Sequence, residues 1–503
     1  MNALADEQQP LLGPILEECE DVISVRHYGT TETVEFEIGD PEDPRQWTKG
    51  FKWCIVLLLA CMAFTVTFTC IGVVPVATRI VNELSDPDDS TSATSALLVT
   101  IWELGEAAGP LLIAPLSELS GRYPVVNVCN SLFILFTLLA ASSANVHLLI
   151  ISRMLTGLTV TSNVLNPAII GDMFESEERG SAMSLIMLAP LIGGAIGPAI
   201  GGTIAQTLGW RWILFIAAAI ATCCEVLFLT CFRETYSTSI LKKRARKLSR
   251  EVDGFEPIIK EKDSQSSFKR LCHAITRPFA VVFGSSVLML LSVFASISFS
   301  YFYVMSISLP VILTDIYKFT PAQTGTAFMS FSVGSLLGVI LCNITLDKIS
   351  IHLHNRSKSH TNSLTTAPIP EYRLPLTILG GILLPFSIML YGWAAALHLP
   401  VPLLLFCVAL LGFTLLLTIV PVSAYVVDAF SEFAASAMTG VIVLRCLAGT
   451  FLPLTIEPLV ERLGWGGAFT WLGVVSLVLA GIPMVILWKG DRWRQGSQFT
   501  RVV

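Results

Sequence analysis

Charge is scarce in this sequence of 503 residues, of which only 14% are Asp, Glu, Lys or Arg. Soluble domains carry about 25% charged residues, so this chain has too few charges to cover a water-soluble globule of its size. Hydrophobic residues make up 53% of the chain. The formal net charge of −6 also excludes a generally basic nucleic-acid-binding protein. A membrane protein with several spanning helices is therefore the leading class.

Signatures of catalysis and of metal binding are missing as well. The twelve cysteines form no C-x-x-C pair, and most lie in apolar runs where they act as small buried hydrophobic residues. The seven histidines are scattered, and no P-loop pattern G-x-x-x-x-G-K-[ST] occurs, which argues against ATP as a direct energy source. The sequence therefore predicts no enzyme, no metal site and no bound cofactor.

The first 50 residues lack the apolar core of a signal peptide and carry twelve acidic residues. We expect them to form a solvated tail. Glu7 to Leu12 fits the acidic dileucine pattern E-x-x-x-L-L. This pattern makes the vacuolar membrane an alternative to the plasma membrane, which is the expected location.

Apolar runs long enough to cross a bilayer occur twelve times, since a spanning helix needs about 20 apolar residues. The predicted spans are 53–74, 94–116, 125–144, 147–170, 182–206, 211–231, 282–304, 324–345, 375–395, 401–425, 437–459 and 467–488. The predicted fold is thus an all-α polytopic membrane protein.

Lysine and arginine predict the orientation of these spans. With both termini in the cytoplasm, 26 basic residues lie inside, four lie outside and two lie within spans. The resulting organisation is an acidic cytoplasmic tail (1–50), a six-helix half (51–231), a basic cytoplasmic loop (232–281), a second six-helix half (282–488) and a short cytoplasmic tail (489–503). The basic loop either fixes the topology or contacts anionic membrane lipid.

The two halves repeat each other weakly. Asp172-Met173-Phe174 corresponds to Asp428-Ala429-Phe430, and the tripeptide Leu-Gly-Trp recurs at 208–210 and 463–465. The offset is 255 or 256 residues, about half the chain. Such a duplication predicts two pseudo-symmetric halves around a central cavity, the arrangement of an alternating-access transporter.

Three motifs resemble those of the major facilitator superfamily. They are the turn at 114–122 (APLSELSGR), the R-x-x-x-G pattern at 153–157, and GGAIGPAIGG at 193–202, which resembles the antiporter motif. The segment 40–47 looks like the one that precedes span 1 in fungal members. The resemblance covers about 45–490 and is nearest to the fungal twelve-span drug:proton antiporter branch. It implies a monomer that exchanges protons for a small hydrophobic or amphipathic organic compound.

The residues of the antiporter-type motif also predict how their helix packs and bends. Its glycines recur every three or four residues, so they share one helix face that a neighbouring helix can approach closely. Proline removes a backbone hydrogen bond and permits a bend. The motif residues are Gly193, Gly197, Pro198, Gly201 and Gly202.

A cytoplasmic gate is expected at the turn between spans 2 and 3. Glu118 stands where the superfamily usually has Asp, and with Arg122 it could latch the inner ends of neighbouring helices. Asp172 and Asp428 repeat at the inner ends of spans 4 and 10. The expected gate residues are Glu118, Gly121, Arg122, Asp172 and Asp428. The second half keeps only a remnant of this turn, Leu346-Asp347-Lys348, so the latch is expected mainly in the first half.

Charges inside spans are costly and usually functional. Glu103 and Glu106 share one face of span 2, and proximity of like charges as well as burial would raise one of their pKa values. The resemblance gives Arg153 a part in proton coupling, and Glu103 or Glu106 is its expected counter-ion. Glu103, Glu106, Arg153, Glu225, Arg445 and Glu457 are therefore candidates for proton coupling or substrate binding. A structural pairing of the two span-2 acids is the alternative.

The leading function is export of a drug, toxin or secondary metabolite, driven by protons. One alternative is proton symport for uptake of an organic solute, against which the antiporter motif argues. Another is a non-transporting sensor, which the short tail at 489–503 makes less favourable. Protons, the organic substrate and membrane lipid are the expected partners, without nucleic acid.

Overall fold

The computed structural model describes residues 23–27, 30–33, 36, 39–85, 92–175, 178–251, 255–259, 267–360, 370–430, 433–497 and 499–500. The predicted dileucine pattern at 7–12 lies outside these residues. The helices are α1 (Lys49–Ile71), α2 (Ala77–Leu84), α3 (Ser92–Ser120), α4 (Arg122–Ala141), α5 (Val146–Leu158), α6 (Ser162–Met173), α7 (Arg179–Thr207), α8 (Arg211–Cys231), α9 (Ser237–Glu251), α10 (Ser267–Phe283), α11 (Ser286–Asp315), α12 (Pro321–His360), α13 (Leu374–Ala396), α14 (Val401–Ala429), α15 (Ala434–Phe451), α16 (Ile456–Leu479) and α17 (Gly481–Gln495).

These helices confirm the predicted all-α membrane fold. Ten helical stretches among the described residues are long and apolar enough to cross a membrane. The predicted fourth span is not one of the ten because it is broken at 159–161 into the shorter α5 and α6. The predicted spans 11 and 12 lie in one stretch, Ala434–Gly490, that turns at Gly464, where φ is 70°. Glycine adopts this positive φ without steric cost.

Several span boundaries differ from the prediction. The seventh span was placed at 282–304, whereas α11 runs from Ser286 to Asp315. The eighth was placed at 324–345, but α12 continues to His360. Helix α12 continues beyond its apolar run because a helix can extend into water where its residues turn polar. The added residues 305–313 of α11 are mostly apolar, so the seventh span itself lies further along the chain than predicted.

The spans pack as two bundles that meet along two helix pairs. Helix α3 contacts α15, where the Thr450 hydroxyl donates to the Thr100 carbonyl oxygen over 3.4 Å. Helix α7 contacts α12, where the Ala322 amide donates to the Gln206 side-chain oxygen over 3.3 Å. The site described below lies between the bundles. We call the end of the bundle where α1 begins and α17 ends the terminal face, and the opposite end the distal face.

A small sheet lies outside the spans and joins the tail to the loop between the halves. Strand β1 (Ile23–His27) pairs antiparallel with β2 (Thr30–Thr33) and with β3 (Phe255–Ile259), in the order β2-β1-β3. Asp40 accepts a hydrogen bond from Arg244 of α9 over 2.5 Å. Part of the region predicted as a solvated tail is therefore held against the basic loop, because alternating residues at 23–33 can add a sheet ladder that hydropathy does not reveal.

Candidate functional site

Glu103 of α3 and Tyr303 of α11 form a hydrogen bond between the two bundles in the middle of the spans. The tyrosine hydroxyl donates to Glu103 Oε1 over 2.5 Å, and both side chains are buried. Glu103 Oε2 is also buried and has no hydrogen-bond partner among the described residues. It lies beside Gly449, where an added Cβ would be 3.5 Å away. The carboxyl group thus has one bonded and one vacant oxygen.

Glu106 and Cys446 lie next to Glu103. Ligating atoms of the three side chains all lie within 4.8 Å of one another. Glu106 Oε2 accepts a hydrogen bond from the Trp102 indole over 3.1 Å. The structure therefore brings the two predicted acids of span 2 together with a thiol from the other half. We call Glu103, Glu106, Tyr303, Cys446 and Arg445 the central cluster.

Arg445 of α15 supplies positive charge to the central cluster. Its guanidinium lies over the ring of Phe299 at 4.4 Å, and Glu103 and Glu106 both act on it electrostatically. Its Nε is buried without a hydrogen-bond partner among the described residues. Two carboxyl groups and one guanidinium therefore share a largely buried site, where charge interactions are stronger than in water.

Four aromatic residues lie close together on α11, and they face either the site or the protein core: Phe299, Tyr301, Phe302 and Tyr303. Phe299 and Tyr303 contact the central cluster, whereas the Tyr301 hydroxyl donates to the Leu472 carbonyl oxygen over 3.1 Å. Phe302 packs against Phe331 of α12 at a ring distance of 5.0 Å. Residues four apart share a helix face, which explains why Phe299 and Tyr303 reach the site and Tyr301 does not.

Arg153 does not pair with either acid, so the predicted counter-ion is wrong. Its guanidinium donates to the carbonyl oxygens of Leu98, Thr69 and Cys70 over 3.0, 3.3 and 2.8 Å. Helix α1 ends at Ile71, so its last carbonyl groups lack partners within the helix and carry partial negative charge. Arg153 also lies over the Trp102 ring at 5.5 Å. The Trp102 indole donates to Glu106, so this side chain contacts both Arg153 and Glu106.

Glu225 and Glu457 lie away from the central cluster. Glu225 of α8 accepts a hydrogen bond from Asn130 of α4 over 2.8 Å, and both are buried inside the first bundle. Glu457 of α16 lines a cavity that opens at the distal face. The structure thus separates these two predicted candidates from the four that lie on or beside the cluster.

The antiporter-type motif packs α7 against two different helices. A Cβ added at Gly201 would lie 2.1 Å from the Gly72 carbonyl oxygen of α1's C-cap, and one at Gly193 would lie 3.1 Å from that of Phe64. Gly197 also faces α1, with the Phe68 Cα at 3.6 Å from such a Cβ. These three glycines share one face, as predicted from their spacing. The same prediction for Gly202 is wrong, because adjacent residues lie about 100° apart around a helix.

Gly202 and Pro198 instead face α12, in the other bundle. A Cβ at Gly202 would lie 2.2 Å from the Pro321 carbonyl oxygen, and one at Gly325 would lie 2.1 Å from that of Pro198. The motif therefore permits backbone contact both within the first half and between the halves.

Arg122 at the terminal face pairs with Asp172, not with Glu118. Arg122 Nε lies 3.3 Å from Asp172 Oδ2, and Arg122 Nη1 donates to the Ser117 hydroxyl over 2.5 Å. Glu118 is exposed and forms no ion pair or hydrogen bond among the described residues. The expected latch between Glu118 and Arg122 is wrong, because Arg122 is paired with Asp172 of α6 and Glu118 remains exposed.

Glu234, which follows α8, is a site residue that the sequence reasoning missed. Its carboxylate accepts hydrogen bonds from the backbone amides of Arg122 and Tyr123 at the start of α4, over 2.8 and 3.3 Å. It also accepts from the amides of Thr235 and Tyr236, over 3.1 and 3.0 Å. A carboxylate at a helix N-terminus satisfies otherwise unpaired amides and favours the helix dipole. An acid directly after an apolar span was the available signal.

The second half has its own charge cluster at the terminal face, contrary to the expectation of a latch mainly in the first half. Arg373 forms ion pairs with Asp428 and with Asp347, the latter over 3.2 Å. Asp428 corresponds to Asp172 in the internal repeat, and Arg373 takes the part of Arg122. The arginine lies just before α13, distant in sequence from the remnant motif whose Asp347 it contacts, so a motif search does not find it.

Replacing Gly121 with alanine is expected to destabilise the protein by roughly 1–3 kcal/mol, because Gly121 has φ 97° and ψ 162°, a region almost restricted to glycine. The new Cβ would also lie 2.2 Å from Glu234 Oε2. Thermal unfolding of the purified protein measures the loss. Gly180→Ala is the matched control, since nothing lies within 4 Å of a Cβ there. Equal melting temperatures for both variants would contradict the role of this turn.

Comparison with known proteins agrees with these features. The sequence profile of the Major Facilitator Superfamily matches residues 54–453. The chain belongs to this superfamily. It is 31% identical over 462 residues to the efflux pump radE of Floropilus chiversii, covering 92% of this chain and 84% of radE. It is 32% identical over 464 residues to the MFS-type transporter penM of Penicillium rubens. This match covers 92% of this chain and 89% of penM.

Solved structures show the same fold at low sequence identity. The D-xylose-proton symporter superposes with a TM-score of 0.64 and 15% identity, over 87% of this chain and 98% of the symporter. The human organic anion transporter MFSD10 superposes with a TM-score of 0.55 and 16% identity, over 87% of this chain and 100% of MFSD10. This chain of the Major Facilitator Superfamily is thus a multi-pass membrane transporter and not an enzyme.

Proposed function

We propose that this transporter exports small hydrophobic or amphipathic organic compounds in exchange for protons, by alternating access between its two halves. The observation that carries the proposal is the buried hydrogen bond from Tyr303 to Glu103, which joins the halves at an ionisable group. Protons supply the driving force without a bound cofactor. The protein works as a monomer in the plasma membrane, with both termini and the terminal face in the cytoplasm.

The charge state of Glu103 links proton binding to the contact between the halves. When ionised, its carboxylate accepts the Tyr303 hydrogen bond and attracts Arg445, both of which belong to the second half. A proton on the vacant Oε2 removes the charge and weakens both interactions. A group that binds protons more tightly in one conformation than in another shifts the population between them. Protonation at this site therefore favours separation of the halves.

The surroundings of the central cluster favour an organic substrate with an apolar body. Phe299 lies under Arg445, and Trp102 donates to Glu106, so two aromatic rings contact the central cluster. Ligand sites are commonly lined by such rings with a few polar groups that fix orientation. Relatives described as efflux pumps and transporters of fungi support export of compounds such as drugs, toxins or secondary metabolites.

The direction of coupling can be tested in liposomes that contain the purified protein and have an acidic lumen. A panel of lipophilic cations, neutral drugs and organic acids is offered outside, and protein-free liposomes correct for passive partition. Exchange against outward-moving protons is expected to accumulate a panel member in the acidic lumen, and a protonophore is expected to abolish the accumulation. Accumulation in an alkaline lumen would instead establish symport, and flux unaffected by either gradient would refute proton coupling.

A further inference from the structure

A cavity of about 580 Å³ opens at the distal face and is lined by both halves. Its walls come from the segment after α1, the start of α3, the end of α11 and the start of α16. The volume lies within the range of about 300–1,000 Å³ that is usual for small-molecule sites. We call this cavity the distal vestibule.

The distal vestibule has an excess of negative charge. Asp315, Glu457 and Glu461 line it, and Arg79 is the cation among its lining residues. None of these four side chains forms an ion pair or hydrogen bond within the part of the chain that the structure describes. A concave surface of one charge sign with low-dielectric walls concentrates counter-ions. The lining therefore favours a cationic occupant.

Ser306 offers a hydrogen-bonding group to such an occupant. It lines the vestibule with only 1% of its surface exposed, and its Oγ has no partner among the described residues. Ser300 and Ser308 of α11 donate to the carbonyl oxygens of Ile297 and Met305 over 2.7 and 3.3 Å. Ser292 and Ser296 of the same helix lack partners among the described residues, as Ser306 does, but they do not line the vestibule. Leaving a buried hydroxyl unpaired costs free energy, which a bound ligand or water at this position would recover.

Aromatic walls complete the vestibule. Phe319 and Trp465 line it and are half-buried. Aromatic faces attract organic cations through the ring quadrupole and also bury apolar surface. Carboxylates, a free hydroxyl and two aromatic rings together match a molecule with a cationic centre and a flat or bulky apolar body.

The vestibule is separate from the central cluster. Val99 and Ser306 belong to its lining, and Glu103 and Tyr303 lie about one helical turn further along the same helices. None of the five residues of the central cluster lines the vestibule. An occupant of the vestibule therefore need not touch the central acids.

We propose that the distal vestibule binds organic cations with an apolar body, at a site distinct from the central cluster. Glu457 provides the main charge contact, since it is less exposed than the other two acids of the vestibule. The Ser306 hydroxyl, which is buried without a partner among the described residues, can reach a polar group at the base after rotation about χ1. This binding is independent of the proposed proton-driven export, because it requires neither a gradient nor turnover.

Equilibrium binding of tetraphenylphosphonium to the full-length protein in phosphatidylcholine nanodiscs tests the proposal, with empty nanodiscs as the blank. Tetraphenylborate, of the same shape and opposite charge, is the matched probe and is expected to bind at least tenfold more weakly. Glu457→Gln is expected to weaken phosphonium binding about tenfold. Arg79→Gln is expected to strengthen it, and raised salt to weaken it.

Two further variants distinguish the vestibule from the central cluster. Glu103→Gln is expected to weaken phosphonium binding less than Glu457→Gln does, and the exposed Glu118→Gln is expected to leave it within twofold of wild type. Binding that is lost in Glu103→Gln but kept in Glu457→Gln would place the cation at the central cluster and overturn the vestibule site without affecting the export proposal. Equal binding of both probes, or no phosphonium binding, would also overturn it. Thermal unfolding of each variant excludes misfolding as a cause.

Discussion

Replacing Glu103 with glutamine abolishes accumulation driven by a pH gradient, while exchange of substrate across the membrane continues. Glutamine has the same shape and can still accept the Tyr303 hydrogen bond, but it cannot take up and release a proton. A gradient of about two pH units supports roughly 100-fold accumulation for one proton exchanged per substrate molecule. We expect this ratio in wild type and a ratio of about one in the variant, measured with a transported panel member in liposomes.

Two controls separate proton carriage from structure. Glu118→Gln makes the same chemical change on an exposed side chain without partners among the described residues, and it is expected to accumulate substrate as wild type does. Tyr303→Phe removes the bond between the halves but keeps the carboxyl group. It is expected to retain coupling at a changed rate. Full accumulation in Glu103→Gln would assign the proton to another group, with Glu106 the next to test.

Hydropathy and motif spacing predicted the parts of this fold that depend on local sequence. The apolar runs located the spans because the side chains of a spanning helix face either lipid or the protein interior, and both are apolar. The spacing of Gly193, Gly197 and Gly201 predicted a common face because helical periodicity fixes it. Glu103 and Glu106 could be placed on one side of span 2 for the same reason.

Contacts between distant segments were not predictable from spacing. Tyr303 lies 200 residues from Glu103 and belongs to the other half. Arg153 binds backbone carbonyl groups, which every residue possesses, so no sequence pattern marks its partners. Arg373 replaces Arg122 in the second half from a different loop position, because charge pairing requires proximity in space and not a conserved spacing.

Replacing Gly202 with alanine is expected to slow transport far more than the same change at Gly194, eight residues nearer the terminal face on the same helix. The Gly202 Cβ would lie 2.2 Å from the Pro321 carbonyl oxygen, so the backbones of α7 and α12 would have to move apart. At Gly194 the nearest atom is a flexible Ile71 methyl at 3.8 Å, an ordinary contact. The two variants therefore differ in whether they disturb the contact between the halves.

Overpacking of this kind costs about 1–3 kcal/mol, and a bias of that size shifts a conformational equilibrium by about 5- to 150-fold. Because Gly202 lies near the distal end of α7, the bias opposes closure of that end. We expect at least a tenfold slower transport rate in Gly202→Ala, with greater labelling of a cysteine introduced at vestibule position Ser95, and rates within twofold of wild type in Gly194→Ala. Equal rates in the two variants would show that the α7–α12 contact does not limit the transport cycle.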